Sequence, residues 1–389
     1  MEDPKELSAD AADKITIKNV PDVFASLYTG SGSFEKHEKS PFQAGEGSGE
    51  YMIVSWLTTN RCNLKCRHCY QNAGESKEQE LTTSEARELI DGIARAGFKI
   101  MIFSGGEALM RPDILELVAY ASSKGLRPVF GTNGTLLTED MAVQLKKSGA
   151  TAMGISLDSL DREKHNVFRG GEEAFDRTIR GMENCRRIGL PFQIHTTVMD
   201  WNRDEIIDII DFGVKMGAMA VYLFFLIPVG RGRFIEESAL EVESYENLLR
   251  AVMNKQKEIP IPIKPTCAPQ FTRVAKELGV TLDRRFSRGC LAGLTYCVVS
   301  PVGMVRPCAY MTEEAGNIRE KPFDQIWRES ELFARLRTKE YGGSCGKCAY
   351  QGICGGCRAR AGYYHDGNFM EEDSYCAHGL RMKGEAKHA

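Results

Sequence analysis

The chain has 389 residues, 50 Lys+Arg against 53 Asp+Glu, and 13 Cys. At about 150 residues per domain there is chain for two or three domains around a sizeable core, and a formal net charge of -3 leaves no basic footprint of a nucleic-acid binder. No run of about 18 apolar residues occurs and the N-terminus MEDPKELSAD is acidic, which excludes a membrane-spanning helix, argues against a secretory signal and predicts a cytoplasmic protein.

Residues 1–50 read as a flexible N-terminal segment: Gly30 to Glu50 holds five Gly and few apolar residues. From Tyr51 an alternation begins. Apolar runs at 52–58, 99–103, 127–131, 151–157, 192–199 and 220–227 predict strands, and each is followed by a helical pattern. Thr82-x-x-Glu85 is a capping box that opens the first helix, and each helix is expected to end in a Gly-containing turn. Six strand-helix units imply a parallel sheet with right-handed crossovers, an α/β fold that is either doubly wound or a partial (β/α)6 TIM-like barrel. Both place functional loops at the C-terminal ends of the strands. After Cys290 the alternation gives way to a small, irregular, cysteine-rich region.

An odd number of cysteines cannot pair completely, and a reducing cytosol disfavours disulfides, so metal ligation leads. Cys62-x3-Cys66-x2-Cys69 lies directly after the first strand. Three thiolates are one short of the four that close a zinc site or an iron-sulfur cube, leaving one iron open to a non-protein ligand. The alternative is a structural zinc site completed by His68 or a distant residue. Eight more cysteines, Cys290, Cys297, Cys308, Cys345, Cys348, Cys354, Cys357 and Cys376, crowd the last hundred residues and divide into two sets of four. Cys345-x2-Cys348-x5-Cys354-x2-Cys357 could alone be a zinc ribbon. Cys185 and Cys267 stand apart.

The segment TTNRCNLKCRHCYQNAG resembles the radical S-adenosylmethionine superfamily. In that family three such cysteines hold a [4Fe-4S] cluster whose fourth iron chelates S-adenosylmethionine, and an electron from the cluster yields a 5′-deoxyadenosyl radical. The resemblance implies that Cys62, Cys66 and Cys69 are catalytic. It also implies that Gly105, Gly106 and Glu107 bind the methionyl amino group, with Glu107 accepting hydrogen bonds from the ammonium. Asn133, Ser156 and Asp158, His195 and Thr197 then fall at ribose and adenine, and Arg169 at a carboxylate.

The later cysteines resemble the twitch-type SPASM extension, with Gly303-x4-Cys308 in register but Cys-x2-Cys where that run usually ends Cys-x3-Cys. By analogy one cluster uses Cys290, Cys297, Cys308 and Cys357, and the other Cys345, Cys348, Cys354 and Cys376. The expected layout is a radical core at 51–265, a SPASM domain at 266–380 and a tail at 381–389, with three [4Fe-4S] clusters and S-adenosylmethionine as cofactors.

FFLIPVGRGR, KPTCAP, GNIREKPFDQIW and CGGCRARAG further resemble the heme-biosynthesis branch of the family, which includes a siroheme-pathway heme synthase, a didecarboxysiroheme deacetylase and a heme d1 maturase. That implies an iron tetrapyrrole substrate whose side chains are oxidatively decarboxylated or removed. Arg231, Arg233, Arg358 and Arg360 are candidate carboxylate clamps, since guanidinium pairs bidentately; alternatively they are surface residues, or Arg358 and Arg360 balance cluster charge. Cys267 could face substrate. His195 or His165 could be an axial heme ligand or simply structural. The competing class is a maturase that crosslinks a ribosomal peptide or forms formylglycine in a protein. Either needs an electron donor, a reductase, ferredoxin or flavodoxin.

Overall fold

Seven strands follow one another in parallel: β1 (Ile53–Leu57), β2 (Ile100–Ser104), β3 (Arg127–Thr132), β4 (Ala152–Ser156), β5 (Phe192–Val198), β6 (Val221–Phe225) and β7 (Ile263–Thr266). The computed structural model describes residues 52–75, 79–283 and 287–384; the expected N-terminal segment 1–50 and residues 385–389 of the expected tail lie outside them. The six expected strands match β1 to β6. Between them run α1 (Thr83–Arg95), α2 (Ile114–Ser123), α3 (Glu139–Lys147), α4 (Arg162–Arg169), α5 (Ala174–Ile188), α6 (Ile206–Met216), α7 (Val242–Gln256) and α8 (Phe271–Glu277). Thr82 and Glu85 form the expected capping box at α1. Gly97, Gly125, Gly149, Gly189 and Gly217 end α1, α2, α3, α5 and α6 with positive φ. Contrary to expectation, α7 stops at Lys257 in ordinary helical geometry, without a glycine.

The sheet does not stop after β6. β7 contains Pro265, which the period of the sequence hides and which fits because β7 ends the strand order, where a missing N–H costs no ladder bond. At the other side β8 (Tyr296–Val299), from the cysteine-rich region, pairs in parallel with β1, and β9 (Met304–Arg306) and β10 (Gly316–Asn317) add antiparallel. The order is β10-β9-β8-β1-β2-β3-β4-β5-β6-β7, open between its ends, so the sheet runs through residues 265 and 266.

Period-two alternation sorts the two faces. Val54, Trp56, Met101, Phe103, Phe130, Met153, Ile155, Ile194, Val221 and Leu223 pack outward against Leu89, Ile93, Leu117, Ile179 and Ile209 of the helices. Each such side chain contributes about 1.5–3 kcal/mol by leaving water. The alternate positions, Ser55, Ser104, Ser156, His195, Thr197, Tyr222 and Phe224, fall on the inner face and carry the polar and aromatic groups. The remaining helices, α9 (Phe323–Glu329), α10 (Glu331–Thr338), α11 (Gly343–Gly346), α12 (Arg358–Tyr364) and α13 (Ala377–Lys383), belong to the cysteine-rich region. Among the described residues no helix is long and apolar enough to cross a membrane.

Candidate active site and cysteine centres

The three-cysteine loop leaves the C-terminal end of β1 and is held on three sides. Gly106 N donates to Thr59 O at 2.8 Å and Glu107 N to Arg61 O at 2.8 Å. A Cβ on Gly106 would stand 2.2 Å from Arg61 O, so only glycine lets these backbones meet. Opposite, Lys65 N donates to Arg169 O at 3.2 Å and Arg67 N to Phe168 O at 3.1 Å. Arg231 closes the third side: its N donates to Cys69 O at 2.9 Å, its Nε to Cys66 O at 2.8 Å and its Nη1 to Ala73 O at 2.6 Å. Side chains alternate along the loop, with Arg61, Asn63, Lys65 and Arg67 exposed while Leu64 and Cys66 are buried and Cys62 and His68 half-buried.

Each thiol is free and takes an N–H donor: Leu64 N to Cys62 Sγ at 3.5 Å, Ala73 N to Cys69 Sγ at 3.4 Å, and Arg169 Nη1 to Cys66 Sγ at 3.9 Å. Burial pushes the Cys62 thiol up to about 11 and raises that of Cys66. A group that keeps these sulfurs as thiolates must bring positive charge, and N–H donors to sulfur are how proteins set cluster potentials, so the donor set fits an iron-sulfur cluster. His68 does not turn toward a shared ion; its ring stacks on Phe168 at 4.5 Å and its buried Nδ1 has no partner. Among the described residues no three Cys, His, Asp or Glu side chains converge on a single metal ion.

Behind the loop lies a buried ion pair. Asp158 Oδ2 accepts from Arg169 Nε at 2.6 Å and Asp158 Oδ1 from Thr197 N at 2.9 Å. Burial alone would raise the Asp158 carboxyl, but the Arg169 charge outweighs it and the group titrates below its ordinary value. Both carboxylate oxygens thus accept from protein, and Asp158, expected at ribose, also positions Arg169 and β5. Arg169, expected at a substrate carboxylate, donates from Nε to Asp158 and from Nη1 to Cys66. Glu107 is fully buried, accepting from Leu109 N, Thr132 Oγ1 and Asn133 N at 3.2, 2.8 and 2.9 Å, and burial raises its carboxyl. Asn133 in turn donates to Asn63 Oδ1 at 2.9 Å, so β2 and β3 hold the loop from below. Ser156 donates to Thr132 O at 3.2 Å, and His195 lies over Gly154, where a Cβ would meet its ring at 2.3 Å. His195 Nε2 bonds Gln193, and burial lowers its imidazole to about 3, which keeps it neutral.

The later cysteines separate into groups. Cys345, Cys348, Cys354 and Cys376 line one small cavity of about 20 Å³, and Asp373 N, Tyr350 N and Gly379 N donate to the sulfurs of Cys345, Cys348 and Cys376. Cys290, Cys308, Cys357 and Cys267 gather in a second apolar cluster, which Cys345 also borders. Cys267 hydrogen-bonds Cys357, holding the Cys357 thiol down to about 7 and its own well above the usual value. Cys297 does not join them. Tyr296 points to the inner face, donating to Ser55 Oγ at 3.0 Å, so Cys297, one residue on, points outward into the main core.

Three of the four expected arginine clamps are otherwise occupied. Arg231 binds the loop. Arg358 is buried, donating to Phe369 O at 2.9 Å and Glu371 O at 2.7 Å and reaching Cys345 Sγ at 3.8 Å. Arg360 is buried on Asp373 and Cys267 O. Short polar partners satisfy these guanidiniums, which is why they can sit beside apolar cores. Arg233 alone is exposed, over the ring of Phe234 at 4.7 Å. Three tyrosines join the site without a motif that marks them in the sequence. Tyr70 and Tyr310 meet at 5.1 Å, and these two with Tyr296 stand among Cys69, Cys308 and Cys267, so they occupy the space between the three-cysteine loop and the second group. Their only sequence signal is proximity to cysteines, Tyr70 and Tyr296 next to Cys69 and Cys297 and Tyr310 two residues after Cys308.

Comparison with known proteins agrees with this division. Residues 56–213 match the Radical SAM superfamily, and residues 290–357 match SPASM, an iron-sulfur cluster-binding domain. The chain is 42% identical over 336 residues to an AdoMet-dependent heme synthase of Methanosarcina barkeri, covering 83% of this chain and 95% of that one. It is 32% identical to an Fe-coproporphyrin III synthase of the same organism, covering 83% and 87%. In fold it is similar to Streptococcus suis SuiB bound to S-adenosylmethionine, with a TM-score of 0.67 at 19% identity, covering 84% and 77%. [4Fe-4S] clusters and S-adenosylmethionine are accordingly its cofactors. The chain is an enzyme of the radical SAM superfamily with a SPASM domain, belonging to one family with the heme synthase of Methanosarcina barkeri.

Proposed function

We propose that the chain carries three [4Fe-4S] clusters and oxidatively decarboxylates propionate side chains of an iron tetrapyrrole to vinyl groups, as a heme synthase. The observation that carries this reading is the 42% identity to the heme synthase across 95% of its length. For each propionate one hydrogen atom leaves the side chain, CO2 departs, and one electron must be removed. Bound clusters and S-adenosylmethionine would supply the reducing electron, the 5′-deoxyadenosyl radical that accepts the hydrogen atom, and an acceptor for the electron left over.

The chain's own residues orient and exclude. Cys62, Cys66 and Cys69 hold the first cluster, with Arg231 and Gly106 fixing their loop. Gly105, Glu107, Asn133, Ser156, His195 and Thr197 form the wall against which S-adenosylmethionine lies, and Asp158 and Arg169 brace that wall from behind. Tyr70, Tyr296 and Tyr310 line the space in which the substrate side chain is held, and their apolar rings keep water from the radical. Arg233 is the arginine free to meet a peripheral carboxylate.

Anaerobic incubation with iron-coproporphyrin III, S-adenosylmethionine and a reductant tests the reading. The expected result is a shifted Soret band, CO2, 5′-deoxyadenosine and a divinyl product. Cleavage of S-adenosylmethionine without any tetrapyrrole product would refute the substrate and turn the search to precursor peptides.

A further inference from the structure

We infer that Cys267 is the fourth ligand of the auxiliary cluster held by Cys290, Cys308 and Cys357, and that Cys297 ligates nothing. The inference rests on the three-cluster reading above and assigns one of its sites. Four observations carry it. Cys267 directly follows β7, at the strand end where this fold gathers its chemistry, and packs in one apolar cluster with the other three cysteines. Its backbone has φ of 60°, the left-handed region that a non-glycine residue adopts at a cost of about 1–2 kcal/mol and keeps where the surroundings demand it. Arg360 ties it to the set: Nη2 donates to Cys267 O at 2.7 Å and Nη1 to Asp373 Oδ2 at 3.2 Å, while that same carboxylate oxygen accepts from Cys357 N at 2.7 Å. The fourth observation concerns Cys297. On β8 its neighbour Tyr296 takes the inner face, and a strand cannot turn two consecutive side chains the same way. Cys297 has no exposed surface and packs in the main core, away from the other three thiols.

The test is made in a full-length chain with Cys62, Cys66 and Cys69 all changed to Ala, so that its iron reports on the array alone. Two closed cubes give about 8 irons per chain after anaerobic reconstitution. Adding Cys267→Ser should lower this toward about 4, or keep the iron while changing the g values of one reduced cluster, as an oxygen ligand replaces sulfur. Adding Cys297→Ala should leave iron and spectrum as in the background. Loss of a cube from Cys297→Ala overturns the assignment, whatever the behaviour of Cys267→Ser. Unchanged iron and spectrum in soluble Cys267→Ser also overturn it and would point to a thiol acting outside ligation. A background without iron would remove the auxiliary-cluster reading itself, an outcome distinct from either. If Cys267→Ser is insoluble, Cys267→His keeps a ligating atom, and its altered spectrum at unchanged iron supports the assignment.

Discussion

Substituting Asp158→Asn isolates the charge of the buried pair, because an amide oxygen can still accept from Thr197 N while Arg169 loses its anion. Side-chain exposure is 8% for Arg169 and 0% for Asp158, so little solvent is available to take over. Breaking such a pair by removing one partner costs about 3–5 kcal/mol, much of it the price of the charge left behind. Taking an unfolding entropy of about 2.1 cal/mol/K per residue over roughly 330 ordered residues, this lowers Tm by about 4–7 °C. The sign in pH follows from the carboxyl, whose folded pKa lies below its ordinary value. Its contribution is fully present above about pH 4 and is lost as pH falls through the folded pKa, so the deficit of the variant should be the same at pH 6 and pH 8. Thermal melts of anaerobically reconstituted protein at both values measure it. The double variant Asp158→Leu with Arg169→Met should recover most of the loss, since no charge is then stranded. A single variant melting within 1 °C of the parent would refute the reasoning and mean that Arg169 is neutralised by something other than Asp158.

Changing Cys62, Cys66 or Cys69 to Ala should remove about four irons and abolish 5′-deoxyadenosine formation; retained cleavage would defeat the assignment of the loop. Arg231→Ala frees two backbone carbonyls of that loop, Cys66 O and Ala73 O, so iron of the first cluster should be lost to a chelator several-fold faster, whereas Arg233→Ala should leave that rate unchanged and weaken substrate binding. Gly106→Ala should reduce S-adenosylmethionine binding at least tenfold, because the loop must move to clear Arg61 O; parent-like affinity would show that the contact yields cheaply. His165 is buried, with Nδ1 accepting from Asp158 N at 3.3 Å, and burial lowers its imidazole to about 4. A base whose pKa falls on folding costs stability as pH drops below its unfolded value, here by about 1.4 kcal/mol per unit between pH 6.5 and 4. His165→Phe should flatten that arm of the stability profile, and an unchanged slope would place the acid sensitivity elsewhere.

Much of this protein follows from local pattern. Strand periodicity, the Thr82–Glu85 capping box and the glycines that end most helices determine β1 to β6 and their crossovers, because each is a short-range preference of backbone and side chain. The spacing of Cys62, Cys66 and Cys69 after β1 likewise marks this loop as the candidate for an open cluster without any tertiary information. Tertiary structure decided what depends on which way a side chain points and what meets it across the fold. Cys297 and Cys267 look alike in a list of cysteines; strand alternation turns the first into the core, and the end of β7 brings the second, 90 residues earlier in sequence, to Cys357. Arg231, Arg358 and Arg360 look like anion clamps until their guanidiniums are seen donating to carbonyls and to Asp373. Long-range partners of this kind leave no local trace, so a sequence shows that charges and thiols are present, while only the packed chain shows which of them remain available for chemistry.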